Sequence, residues 1–134
     1  MVLVDTNIVA YLLITGERTE AARQLIRVDR DWRSETFMLV EFTNVLMRYI
    51  MAGRLKPDGA QALLRRAESR LGKRLIAISH AAALEVAAAH GVTAYDARFL
   101  AAAQSLGTKL VTEDSKLRRA APALTRSLAE ALAV

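Results

Sequence analysis

The chain opens on three apolar residues with nothing polar between them, Val2-Leu3-Val4, and the run stops at Asp5. So short and continuous a run predicts a buried strand, with the aspartate at its carboxyl end. The period then lengthens: a helical run follows to near Thr15-Gly16. From Glu17 to Val28, Ala21, Ala22, Leu25, Ile26 and Val28 alternate with Arg18, Arg23 and Arg27 at amphipathic-helix spacing. Trp32 to Glu35 carries no clear period and reads as a short connecting segment. A second strong helix is predicted from about Phe37 to Ala52, closed by Gly53, and Pro57 suits the first turn of another that runs to about Leu71. Leu75-Ile76-Ala77-Ile78 is the second strand candidate. Ser79 then caps an alanine-rich helix stopped by His90-Gly91, and Thr93 caps the next, which ends at Leu106-Gly107. Lys109-Leu110-Val111-Thr112 is the third strand candidate and Asp114 to Ala120 a short helix, after which Pro122 introduces a tail with Leu124, Leu128 and Leu132.

Strands alternating with helices predict an α/β fold, with a short central parallel sheet flanked by helices on both faces. The 134 residues suit a single domain spanning 1–134. Cysteine is absent and His80 and His90 are the only imidazoles, so a metal here would be held mainly by oxygen. No apolar run approaches the roughly 20 residues of a membrane span, and the first five residues lack a basic signal-peptide start. A cytoplasmic protein is expected.

Net charge is +5, and it is concentrated. Between Arg54 and Arg74 stand seven basic residues, Arg54, Lys56, Arg65, Arg66, Arg70, Lys73 and Arg74, against Asp58 and Glu68; the rest of the chain sums to zero. A solvated helix face explains such a run, and so does a surface that draws in a polyanion.

Four acids are set in apolar or strand-end positions: Asp5, Glu41 in Leu39-Val40-Glu41-Phe42, Asp96 in Tyr95-Asp96-Ala97, and Asp114 after Leu110-Val111-Thr112. Ligands of parallel sheets bind outside the carboxyl ends of the strands, where Asp5 and Asp114 are expected. On their helices, Glu41 shares a face with Phe37, Met38 and Val45, and Asp96 with Phe99, Leu100 and Ala103. An ionised carboxylate left unpaired among apolar side chains costs several kcal/mol. Two carboxylates about 4 Å apart repel by roughly 4 kcal/mol at an effective dielectric near 20, a conflict that a divalent cation removes. With hard oxygen donors and no thiolate, Mg²⁺ or Mn²⁺ fits best.

Each acid also has a plainer role. Asp5 and Asp114 could cap the helices that follow, Asp96 could favour a helix dipole, and Glu41 could pair with Arg48. Thr6, Asn7 and Thr112 place hydroxyl and amide groups beside two of the acids, or cap helices themselves. Glu35 and Glu113 are rival acids and are expected at the surface.

Val2-Leu3-Val4-Asp5-Thr6-Asn7, Val40-Glu41-Phe42-Thr43-Asn44-Val45-Leu46, Tyr95-Asp96-Ala97-Arg98-Phe99-Leu100-Ala101 and Leu110-Val111-Thr112-Glu113-Asp114-Ser115-Lys116-Leu117 resemble, in order, the successive motifs of PIN-domain nucleases. They cover nearly the whole chain, and its compact length resembles the VapC-type toxins of prokaryotic toxin-antitoxin pairs. The resemblance implies a Mg²⁺- or Mn²⁺-dependent endoribonuclease in which Asp5, Glu41, Asp96 and Asp114 hold one or two ions. Asp5 and Asp96 would be direct ligands, Glu41 a ligand or the orienter of the attacking water, and Asp114 a ligand of a second ion or a ligand through water. Thr6 and Thr112 would support them from behind. Some members carry a further acid shortly after the fourth; here that stretch is Ser115-Lys116-Leu117, which leaves one ion or two open. The resemblance also implies a homodimer and a small antitoxin partner, and an apolar fraction of 53% leaves surface for such contacts.

On that reading RNA is held by the basic segment, with Arg54, Arg65, Arg66, Arg70, Lys73 and Arg74 as its contacts. A catalytically weak RNA- or protein-binding module with the same fold is the alternative, disfavoured by the intact acidic set. A phosphatase using Asp5 as nucleophile, of the haloacid-dehalogenase type, would want an aspartate where Asn7 stands.

Overall fold

The computed structural model describes residues 1–133. Its centre is β1 (Val2–Val4), whose three side chains are all buried. β1 pairs in parallel with β2 (Trp32–Glu35) on one side and with β4 (Leu110–Val111) on the other, in the registers Val2↔Trp32 and Leu3↔Leu110. β3 (Leu75–Ile76) lies outside β2 and β5 (Thr125–Arg126) outside β4, both again parallel, which gives the order β3-β2-β1-β4-β5. The chain therefore builds outward from β1 to β3, then returns to the other side of β1 for β4. The point where it reverses, between the carboxyl ends of β1 and β4, is where an open α/β sheet leaves a crevice.

The helices are α1 (Thr6–Leu13), α2 (Thr19–Val28), α3 (Phe37–Met51), α4 (Pro57–Leu71), α5 (His80–His90), α6 (Ala94–Leu106), α7 (Ser115–Ala120) and α8 (Leu128–Leu132). α6 covers β1, β2 and β4 and packs on α5; α1 to α4 with α8 form the other packed group, with α4 against β2. One cluster of buried apolar side chains, from Val2 to Ala131, runs through both. Among the described residues no helix is long and apolar enough to cross a membrane.

Two strands depart from the sequence expectation. Trp32 to Glu35 is an interior strand of the sheet, flanked by β1 and β3. Its polar residues hide it, because their partners are brought near only by the fold: the Ser34 hydroxyl donates to the carbonyl of Val4, 30 residues earlier, at 2.7 Å. The expected tail after Pro122 instead forms β5 and α8, the latter opened by a reciprocal capping box between Ser127 and Glu130. The Leu75 to Ile78 candidate shortens to two paired residues, and Ser79 and Thr93 cap α5 and α6 as predicted.

Candidate active site

Asp5 leaves the carboxyl end of β1 and caps α1, accepting a hydrogen bond from the Ile8 N–H at 3.2 Å. Asp114 does the same after β4, accepting from the Lys116 and Leu117 N–H groups at 3.0 and 3.1 Å at the start of α7. Capping and membership of a site prove compatible, since each carboxylate keeps a second oxygen free of its cap. Asp96 sits in the first turn of α6 and Glu41 in the second turn of α3. All four line one cavity of about 410 Å³, together with Thr6, Asn7 and Arg48. At its edge Phe37 and Tyr95 stack with centroids 5.2 Å apart.

The Thr6 hydroxyl donates to Glu41 Oε1 at 2.7 Å, which fixes that carboxylate from the neighbouring helix. The fully buried Thr112 accepts the Asp114 N–H at 3.1 Å through its hydroxyl. Among the described residues no ion pair joins Glu41 to Arg48, the bland alternative for that acid.

Three of the acids hold their protons more tightly than usual. Asp5, 9% exposed, is raised from 3.8 to about 6, chiefly by burial; the Thr112 hydroxyl and the Ile8 N–H oppose the rise, and the charges of Glu41 and Asp114 add to it. Burial also raises Glu41 against the Thr6 hydrogen bond, with a further push from Asp96, and it raises Asp96, to which Asp114 adds repulsion. Mutual repulsion of this kind is what a bound cation relieves. As the side chains stand, however, no three acids or imidazoles among the described residues converge on one point. The donor set therefore suits an ion held by one or two carboxylates, with water and a substrate oxygen completing the shell, which is how Mg²⁺ is usually bound.

A family model for the PIN domain matches residues 2–122. The chain belongs to the PIN-domain family. Ribonuclease VapC3 of Pyrobaculum aerophilum is 32% identical over 126 residues, which span 91% of this chain and 95% of that protein. Among solved structures, PAE2754 from the same organism superposes with a TM-score of 0.75 at 22% identity, covering 98% of this chain and 91% of its own. FitAcB from Neisseria gonorrhoeae gives 0.67 at 18% identity, covering 95% of this chain and 96% of its own.

Within this PIN fold, two acids expected at the surface lie elsewhere. Glu35, at the end of β2, is completely buried. It accepts from the Thr36 hydroxyl at 2.8 Å, the Phe37 N–H at 2.8 Å and the Ile78 N–H at 3.3 Å, and the Arg98 guanidinium stands 3.7 Å away. Arg98 also donates to the Ile78 carbonyl at 2.8 Å and meets His80 Nδ1 at 2.6 Å. One buried carboxylate thus joins the start of α3, the strand end before α5, and α6; α3 and α6 are the helices that carry Glu41 and Asp96. Glu113 is partly buried and accepts the Leu128 N–H at 3.0 Å, tying β4 to the start of α8.

The expected RNA contacts are not gathered at the acids. None of Arg54, Arg65, Arg66, Arg70, Lys73 and Arg74 lines the acidic cavity. Arg70, Lys73 and Arg74 line a separate depression with Arg30 and Trp32. Arg74 donates to the Arg30 carbonyl at 3.1 Å, which places it at the amino end of the sheet, opposite the acids. Arg48 is the cation the PIN cavity does contain. The signal for it was its spacing, two helical turns after Glu41 on the same face of α3.

Proposed function

We propose that this chain is an endoribonuclease that hydrolyses RNA phosphodiester bonds with a divalent cation, Mg²⁺ or Mn²⁺, and that it acts in the cytoplasm as the toxin of a toxin-antitoxin pair. The observation that carries the reading is the cavity itself: four carboxylates from four separate elements line one space at the sheet's topological switch point, and three of them have raised pKa values. A PIN-family relative named as a ribonuclease supports RNA as the substrate.

Asp5 and Asp96 would hold the cation, with Asp114 reaching it directly or through water. The cation, when bound, supplies Lewis acidity toward a phosphate oxygen. Glu41, oriented by Thr6, is set to align the attacking water and accept its proton. Thr112 keeps the Asp114 backbone in place from the buried side. Along α3, Val40, Met47 and Met51 are 60, 46 and 77% exposed, and this apolar stripe supports contact with a small antitoxin or a second copy of the chain in a homodimer.

Incubating labelled single-stranded RNA with the protein in Mg²⁺, in Mn²⁺ and in EDTA tests the reading. Internal cutting in either metal and none in EDTA is expected. Cutting that persists in EDTA would contradict the metal role, and a folded protein that cuts no RNA would favour the binding-module alternative.

A further inference from the structure

We infer that the groove between α1, the turn after it and α3 receives the RNA strand on one side of the bond to be cut. The inference rests on the nuclease reading and deepens it by assigning the substrate's path. The groove, of about 390 Å³, is continuous with the acidic cavity, and Asn7, Val45 and Arg48 line both. On one wall Asn7 and Tyr11 are one helical turn apart on α1; on the other, Val45, Arg48 and Tyr49 form the facing stripe of α3. The groove therefore follows two rigid helices away from the acids.

Its chemistry matches a single nucleic acid strand. Carboxylates that the cation does not neutralise repel an approaching phosphate, and a neighbouring positive charge offsets this as the backbone comes in. Arg48 stands at the junction of the two spaces, is exposed, and forms no ion pair among the described residues. Farther along, the exposed Arg18 lies with its guanidinium carbon 5.4 Å from the centre of the Tyr11 ring and donates to the Tyr11 hydroxyl at 3.1 Å. That pairing holds a planar cation in one orientation at low entropic cost, a surface on which a base can stack while its phosphate meets the charge. Among the described residues Glu17 is the one carboxylate that lines the groove. The cations of the segment from Arg70 to Arg74 lie at the other end of the sheet and serve this strand poorly.

The test uses full-length protein and a labelled mixed-sequence single-stranded RNA. Binding is measured across salt concentration in an Asp96→Asn background, and kcat/KM in the wild-type background. Arg18→Gln with Arg48→Gln is expected to weaken binding at least tenfold, and to lower the salt slope by roughly 0.7 for each phosphate that is no longer neutralised. It should lower kcat/KM mainly through KM, whereas Arg70→Gln with Arg74→Gln should change none of these. Both groove arginines are exposed, and an unaltered melting temperature confirms that the fold is intact. A groove variant that binds and cuts like its parent overturns the inference and leaves the nuclease standing. Wild-type protein that neither binds nor cuts RNA removes both.

Discussion

Asp5→Asn is expected to lower RNA cleavage by roughly 10²- to 10³-fold or more while making the metal-free protein more stable. Asparagine caps a helix about as well as aspartate, so the bond to the Ile8 N–H survives. What disappears is an ionised carboxylate that burial and two neighbouring acids disfavour. A rise from 3.8 to about 6, at 1.36 kcal/mol per unit, sets the gain near neutral pH on the order of 3 kcal/mol at most. The folded-state pKa lies above the unfolded one, so the wild type regains this stability as pH falls through about 6, and fully below 3.8. The variant's advantage should therefore shrink on acidification. Thermal unfolding in EDTA near neutral pH and near pH 4 measures it; a variant less stable at neutral pH would mean that Asp5 serves the fold rather than a cation.

Arg98→Met should be the most destabilising single change near the site, by about 3 kcal/mol, because it leaves the Glu35 charge buried without its counter-ion. For a chain of this length that corresponds to a fall in melting temperature of roughly 10 °C. Adding Glu35→Gln should recover part of the loss, since the charge is gone and the amide oxygen can keep the two bonds to Oε1, from the Thr36 hydroxyl and the Ile78 N–H, although the Phe37 N–H loses its acceptor. Cleavage should fall beyond what unfolding explains, because the pair links the helices bearing Glu41 and Asp96. A melting temperature within 2 °C of wild type, about 0.5 kcal/mol on the same scale, would show that solvent screens the pair.

The same pair marks where the sequence was opaque. Asp5, Glu41, Asp96 and Asp114 were legible because each breaks a local pattern: two end apolar strands and two interrupt apolar helix faces. Thr6 was legible as a neighbour of Asp5, although its bond to Glu41 spans 35 residues and no local pattern announces it. Glu35 failed for the opposite reason. It lies in a four-residue strand with two charges, and its burial depends on Arg98 and Ile78, which only the fold brings near. β5 is two residues long and is defined by pairing with β4, so its sequence carries no period at all. Composition does not show how the basic segment is spread over the fold: β3 begins immediately after Arg74, and a parallel strand enters the sheet at the end away from the acids, so that end of the segment lies far from them.

The most direct test of the acidic cavity as a cation-dependent RNA hydrolysis site is cleavage of one labelled RNA by wild type and by Asp96→Asn at increasing Mn²⁺, with folding of both checked by circular dichroism. Metal-dependent cutting by the wild type, lost in the variant at every Mn²⁺ concentration, is the predicted result. Cutting of equal rate and equal metal dependence in a folded Asp96→Asn protein would contradict it.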